Sequence, residues 1–259
     1  MLTPRIISGI ERQNKILLWI NQHYRITIGE MCEYYSVSEA TARRDLETLS
    51  AMGKVQRVHG GAIAVDKAPP EMPLLQRQVD QISEKQRIGK IAASLVKDGD
   101  TVFLGSGTTV LEVARNLKDR QNLTVITNSL PVVTLLSDIP NITIVCVGGL
   151  LRPSESSFIG HITEQVLAGV HADKVFIGVR AINSKEGLTN DYLPETLTDR
   201  AILNIGQENI VVADHTKFGR TSTVMLVPIT KIHSLVTGRE TPVELLIELT
   251  KNNIQVLTA

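Results

Sequence analysis

The run TVFLGSGTTVLEVARNLK, residues 101–118, passes from an apolar, strand-like segment into a helical pattern through a glycine-serine-glycine turn. TVFLG (101–105) reads as a strand. TVLEVARNLK reads as a helix that opens near Thr108–Thr109, with Leu111 and Ala114 facing a sheet. The same alternation continues downstream. LTVIT (123–127), ITIVCVG (142–148), KVFIGV (174–179) and NIVVAD (209–214) are short β-branched strands, and MLVPI (225–229) and SLVTG (234–238) are weaker ones. Helical patterns LPVVTLLSD, ITEQVLAGV and ETLTDRAILNIG lie between them. Strands alternating with helices predict βαβ units and an α/β domain built on a mostly parallel sheet. A composition of 42% hydrophobic but only 3% aromatic residues suits such a sheet.

The turn itself carries chemistry. Backbone N–H groups at a helix start point toward an anion, and the helix dipole favours one there. Gly105, Ser106, Gly107, Thr108 and Thr109 therefore form a candidate phosphate cradle. The turn lacks the spacing of an NTP-hydrolysing loop, and Val110 stands where a dinucleotide-binding turn has its third glycine. A small phosphate ester and a simple tight turn both remain open. Polar residues recur at other expected strand ends, where ligands of open α/β sheets bind. They are Thr127 and Asn128; Gly149 and Arg152; Asn190, Asp191 and Glu195; and Asp214, Thr216 and Lys217. Lys217 is a candidate cation for a phosphate, or an ordinary surface lysine. Asp214 and Glu195 are candidates for binding sugar hydroxyls, or are helix-capping or solvated carboxylates. Five such clusters in register predict a ligand pocket.

Upstream, DKAPPEMP (66–73) holds three prolines in eight residues and reads as a linker. The expected division is residues 1–65, a linker over 66–75, and a second domain over 76–259. Net charge is zero overall, but residues 1–65 hold 8 Lys/Arg against 6 Asp/Glu and the remainder 19 against 21. The N-terminal part thus leans basic. It reads as a helix through Ile16, Leu17 and Ile20, then two short helices around Ser36–Ser38, then a hairpin over 53–65 pivoting near Gly60–Gly61. In VSEATARRDLETL (37–49), Ser38 is a helix N-cap and Ala42, Leu46 and Leu49 share the core face. Thr41, Arg44 and Thr48 fall on another stripe, with Arg43 beside it. Two arginines near the start of a short exposed helix suit the DNA major groove. A basic hairpin with Lys54, Arg57 and His59 would follow as a wing. A solvated face, with Glu39 paired to Arg43, is the plainer alternative.

The run from Glu11 through SVSEATARRDLETL to RVHGGA resembles the N-terminal signature of the DeoR/GlpR family of bacterial sugar-metabolism regulators. It departs at Ala42, where Ile or Val is usual, and at Gly29–Met31. FLGSGTT, VITNS, GGLLR, DKVFIGV, GLTN and ADHTKFGR resemble that family's effector domain, itself similar to the ribose-5-phosphate isomerase and CoA-transferase fold group. The resemblance implies a winged helix-turn-helix with Ser38, Thr41, Arg43, Arg44, Arg57 and His59 at double-stranded operator DNA. It also implies a phosphorylated sugar effector and homo-oligomers, dimers or tetramers. A repressor released by its effector is the expected function; a sugar-phosphate isomerase with an added DNA-binding domain is the alternative. No catalytic residue, metal or cofactor is expected. Cys32 and Cys146 are expected to be buried free thiols. With no long apolar run, a cytoplasmic protein without membrane contact is expected.

Overall fold

The computed structural model describes residues 8–23, 25–52, 54–64 and 72–259, without the side chains of residues 21, 22 and 64. Most of the expected linker, residues 66–71, lies outside them. The chain divides into two compact units, Met1–Ala68 and Pro69–Ala259.

In the first unit, helix α1 (Gly9–His23) precedes strand β1 (Arg25–Thr27), helices α2 (Ile28–Tyr35) and α3 (Glu39–Ala51), and the hairpin of β2 (Val55–Val58) and β3 (Gly61–Ala64). The three strands form an antiparallel sheet in the order β1-β3-β2. Strand β1 went unread in the sequence because three residues between two helices show no period. Gly61 is what lets it pair: a Cβ there would stand 2.1 Å from the Ile26 carbonyl oxygen. Thr27 ends the strand and starts α2 through a capping box, its backbone N–H donating to Glu30 at 2.7 Å while Glu30 N–H donates to its hydroxyl. Ile16, Ile20, Met31, Ala42, Leu46 and Leu49 fill the core.

The second unit opens with α4 (Leu74–Arg77) and α5 (Ile82–Ser94). Then come β4 (Thr101–Leu104), α6 (Thr108–Arg115), β5 (Leu123–Thr127), α7 (Leu130–Leu136) and β6 (Ile142–Cys146). A hairpin of β7 (Leu150–Arg152) and β8 (Ser157–Ile159) leads to α8 (His161–Leu167) and β9 (Ala172–Ile177). Next are β10 (Ala181–Asn183), β11 (Gly187–Asn190), α9 (Leu193–Asn204) and β12 (Gly206–Val212). The chain closes with β13 (Val224–Val227), β14 (Ser234–Thr237), α10 (Val243–Thr250) and β15 (Gln255–Thr258).

Seven strands form one sheet, in the order β15-β14-β12-β9-β4-β5-β6, and every neighbouring pair is parallel. The chain runs from β4 out to β6, returns to β9 beside β4, and then proceeds to the opposite edge. The order therefore reverses between β4 and β9, the topological switch point where such sheets take their ligands.

Two expectations need correction. MLVPI is a strand, but it belongs to a separate antiparallel sheet, β10-β11-β13. The cysteines are not buried: Cys32 is half-buried, and Cys146 is exposed at the end of edge strand β6.

Candidate functional site

In the first unit, the caps set the angle at which α3 is presented. Ser36 ends α2 in the left-handed conformation, and Ser38 caps α3 by accepting from Thr41 N–H at 3.3 Å. Ala42, Leu46 and Leu49 are buried, so Arg43 and Arg44 face solvent. Arg43 pairs with Glu39 at 3.2 Å, the alternative read from the sequence. Arg57 reaches from the wing to Glu47 of α3 at 2.9 Å. Arg44 makes no ion pair or side-chain hydrogen bond with any described residue, although its carbonyl accepts from the Thr48 hydroxyl. Thr41 is half-buried, and His59 is exposed at the wing turn. The aspartate that follows the two arginines points inward: Asp45 accepts from Arg12 Nε at 2.6 Å and from Gln13 at 3.1 Å. It locks α1 to α3, a role that sequence spacing did not reveal.

In the second unit, β4 ends at the switch point. Gly107 caps α6 at φ +109°, a conformation open to glycine, and supplies no side-chain cap. The first residue of α6 to donate within the turn is Leu111, to the Gly107 carbonyl at 3.0 Å. The N–H groups before it face out of the helix start. Thr108 and Thr109 are buried beside them. A Cβ on Gly178, just past β9, would stand 3.7 Å from the Ser106 carbonyl oxygen, so the two loops at the switch point abut.

The neighbouring strand ends hold the other predicted residues. The Thr127 hydroxyl donates to the Leu104 carbonyl at 2.6 Å and accepts from Ser129 N–H, clamping β5 to β4. Asn128 donates its amide to the Phe158 carbonyl at 2.8 Å, while its buried Oδ1 has no hydrogen-bond partner among the described residues. Gly149 follows β6 against Thr163 of α8. Past β12, Asp214 caps the 3₁₀ turn His215–Lys217, accepting from Thr216 N–H at 3.0 Å. The capping alternative for Asp214 is therefore realised. Burial pushes its carboxyl up, but Lys217, Thr216 and Lys85 outweigh that and hold it below the ordinary carboxylate value. Glu84 accepts from His215 N–H at 2.8 Å and lies 2.7 Å from its ring Nδ1. Glu84, Asp214 and His215 lie close enough to hold a cation, but these hydrogen bonds already close the group on itself.

The fifth predicted cluster needs correction. Residues 187–190 are strand β11 of the antiparallel sheet rather than an end of the parallel one, and they lead into α9. Arg152 pairs with Glu195 and lies 4.5 Å over the Tyr192 ring. Asn190 donates to Asp199 at 2.8 Å and accepts from Arg180 N–H at 3.1 Å. Arg180 Nε stands 3.5 Å from Asp191. Burial and nearby Glu195 push the Asp199 carboxyl well above its ordinary value. Arg77 of α4 pairs with buried Glu155 between β7 and β8, and the Arg77 carbonyl accepts from Lys85 Nζ at 2.8 Å. Sequence reasoning missed Arg180, Asp199 and Arg77. The end of KVFIGV was a legible signal for Arg180 alone.

A winged helix-turn-helix followed by a parallel sheet with a topological switch point defines a class: regulators that couple a DNA reader to a second, sheet-based domain. Residues 12–68 match the DeoR-like helix-turn-helix domain, and residues 80–239 match the DeoR C terminal sensor domain. The chain belongs to the DeoR family of DNA-binding transcriptional regulators. It is 36% identical to the transcriptional repressor AccR of Agrobacterium fabrum, over 90% of this chain and 91% of that protein. It is 32% identical to the glycerol-3-phosphate regulon repressor of Escherichia coli, over 95% and 97%. Among solved structures, ribose 5-phosphate isomerase A of Methanocaldococcus jannaschii overlaps 54% of this chain and 55% of its own, at 20% identity and a TM-score of 0.41. That overlap is too loose to speak for chemistry. Among the described residues no helix is long and apolar enough to cross a membrane.

Proposed function

We propose that this chain is a cytoplasmic repressor that holds double-stranded operator DNA as a homo-oligomer and releases it when a phosphorylated sugar or related phosphate ester binds. One observation carries the reading. A single chain joins a recognition helix whose Arg44 engages no described residue to a helix start, at the switch point, whose leading N–H groups face outward. Each offers donors to phosphate, one on DNA and one on a small molecule. The reader would span residues 1–65, the linker 66–75 and the effector-binding and oligomerisation domain 76–259.

In the reader, Arg44 and Thr41 would meet base edges, while Ser38, Arg43, Arg57 and His59 would meet phosphates. Exposed ion pairs are worth about 0.2–1 kcal/mol, so Arg43 and Arg57 lose little on exchanging Glu39 and Glu47 for DNA. In the second domain, residues 105–109 would take the phosphate. The Asn128 Oδ1 would accept from a hydroxyl, and Lys217 would supply a cation. The glycerol-3-phosphate in the name of the Escherichia coli relative supports a phosphate ester. Fluorescence anisotropy on DNA from upstream of the gene, at stated salt and with a panel of sugar phosphates, tests the reading. Specific binding weakened by one phosphate ester is the expected result. Binding with the same salt dependence on random DNA would overturn it.

A further inference from the structure

The second unit exposes six large apolar side chains on and beside two packed helices. Ile162 and Val166 stand one turn apart on α8, and Leu193 and Leu197 one turn apart on α9; all four are exposed. The two helices pack side by side. Leu150 on the β7–β8 hairpin adds to one end, beside the start of α8, and Met225 on β13 to the other, where Arg200 of α9 donates to the Met225 carbonyl. Relative exposures of these six run from 42% to 68%. Contiguous apolar patches beyond a few hundred Å² mark interaction sites.

We infer that this α8–α9 strip is the surface on which a second copy of the chain docks. Two observations choose that occupant. One side of a standard interface covers about 800 Å², and six large side chains exposed to this degree supply much of it. The strip's charged neighbours offer no basic excess to DNA or an anionic membrane surface, because Arg152 is paired with Glu195, Arg180 stands beside Asp191, and α8 itself carries Glu164. Paired turns on two adjacent helices give the ridges that a symmetric helix-on-helix contact uses.

The inference rests on the proposed oligomer and deepens it, because the strip adjoins the candidate effector residues. Tyr192, which caps α9, and Glu195 on its first turn hold Arg152 and alternate in the chain with Leu193 and Leu197. The second copy covers this edge. An effector group that draws Arg152 away shifts the start of α9, and with it the docking surface. The coupling equals the difference in effector affinity between the two assemblies.

Sedimentation velocity on the full chain tests the inference. Wild type is expected to sediment as a dimer or larger at micromolar concentration. Leu193→Glu and Ile162→Glu should raise the dissociation constant at least tenfold, with far-ultraviolet dichroism unchanged because both side chains are exposed. Ile247→Glu, on the equally exposed α10, is the control and should leave assembly intact. A monomeric wild type, or full assembly by both strip variants, overturns the inference. So does dissociation by Ile247→Glu alone. None of these readings involves DNA, so the reader stands or falls separately, on Arg44→Ala.

Discussion

The arginines of α3 and three arginines of the second unit are used in opposite ways. On α3, Arg43 and Arg44 are exposed: one holds a single surface pair and the other engages no described residue. In the second unit, Arg77, Arg152 and Arg180 are mostly buried, each against a carboxylate. An exposed guanidinium keeps its fork of donors for an outside partner. A buried one has been spent on internal order, because an unpaired buried charge is prohibitively costly. Helix α3 therefore displays its arginines, while Arg77, Arg152 and Arg180, like Arg12 of α1, organise the interior.

The largest effect should come from breaking that contrast on the buried side. Arg77→Ala removes a buried ion-pair partner of Glu155 and should lower stability by about 3–5 kcal/mol, read by urea denaturation of the full chain. Arg44→Ala should leave stability within about 0.5 kcal/mol of wild type. Its operator affinity should fall by about 1–3 kcal/mol, with a shallower salt slope, by anisotropy. Unchanged affinity would break the comparison on the exposed side.

Asp199→Asn sharpens it. The folded carboxyl binds its proton more tightly than the unfolded one, so its contribution is present below the ordinary aspartate value and is lost as pH rises through the raised folded value. The asparagine can still accept from Asn190 and does not titrate. Its Tm should match wild type at low pH and exceed it increasingly as pH rises. Ser38→Ala removes the α3 cap and should cost about 1 kcal/mol, read from the thermal midpoint. Glu39→Gln should have the smallest effect, within about 0.5 kcal/mol in stability, because its pair with Arg43 is exposed.

Much of this was legible without coordinates. The βαβ alternation, the capped recognition helix, the hairpin and the glycine turn before α6 depend on period, caps and turn chemistry. These act within a few residues, so the sequence by itself determined them. It also determined which side of α3 faces out, since Ala42, Leu46 and Leu49 could only face in. Strand β1 and the short hairpin β7–β8 were too brief to show a period, and residues 187–190 read as well for an antiparallel strand as for a parallel one.

Tertiary structure alone decided what the charges do. Arg77 and Glu155 are 78 positions apart, Arg152 and Glu195 are 43, and Glu84 and His215 are 131. A charge chooses its partner by distance and burial, and nothing local in the chain encodes either across such gaps. The same holds for the strand order that put Gly178 beside Ser106. Composition and motif could nominate Glu195 and Arg152 as separate ligand contacts, but only packing turned them toward each other.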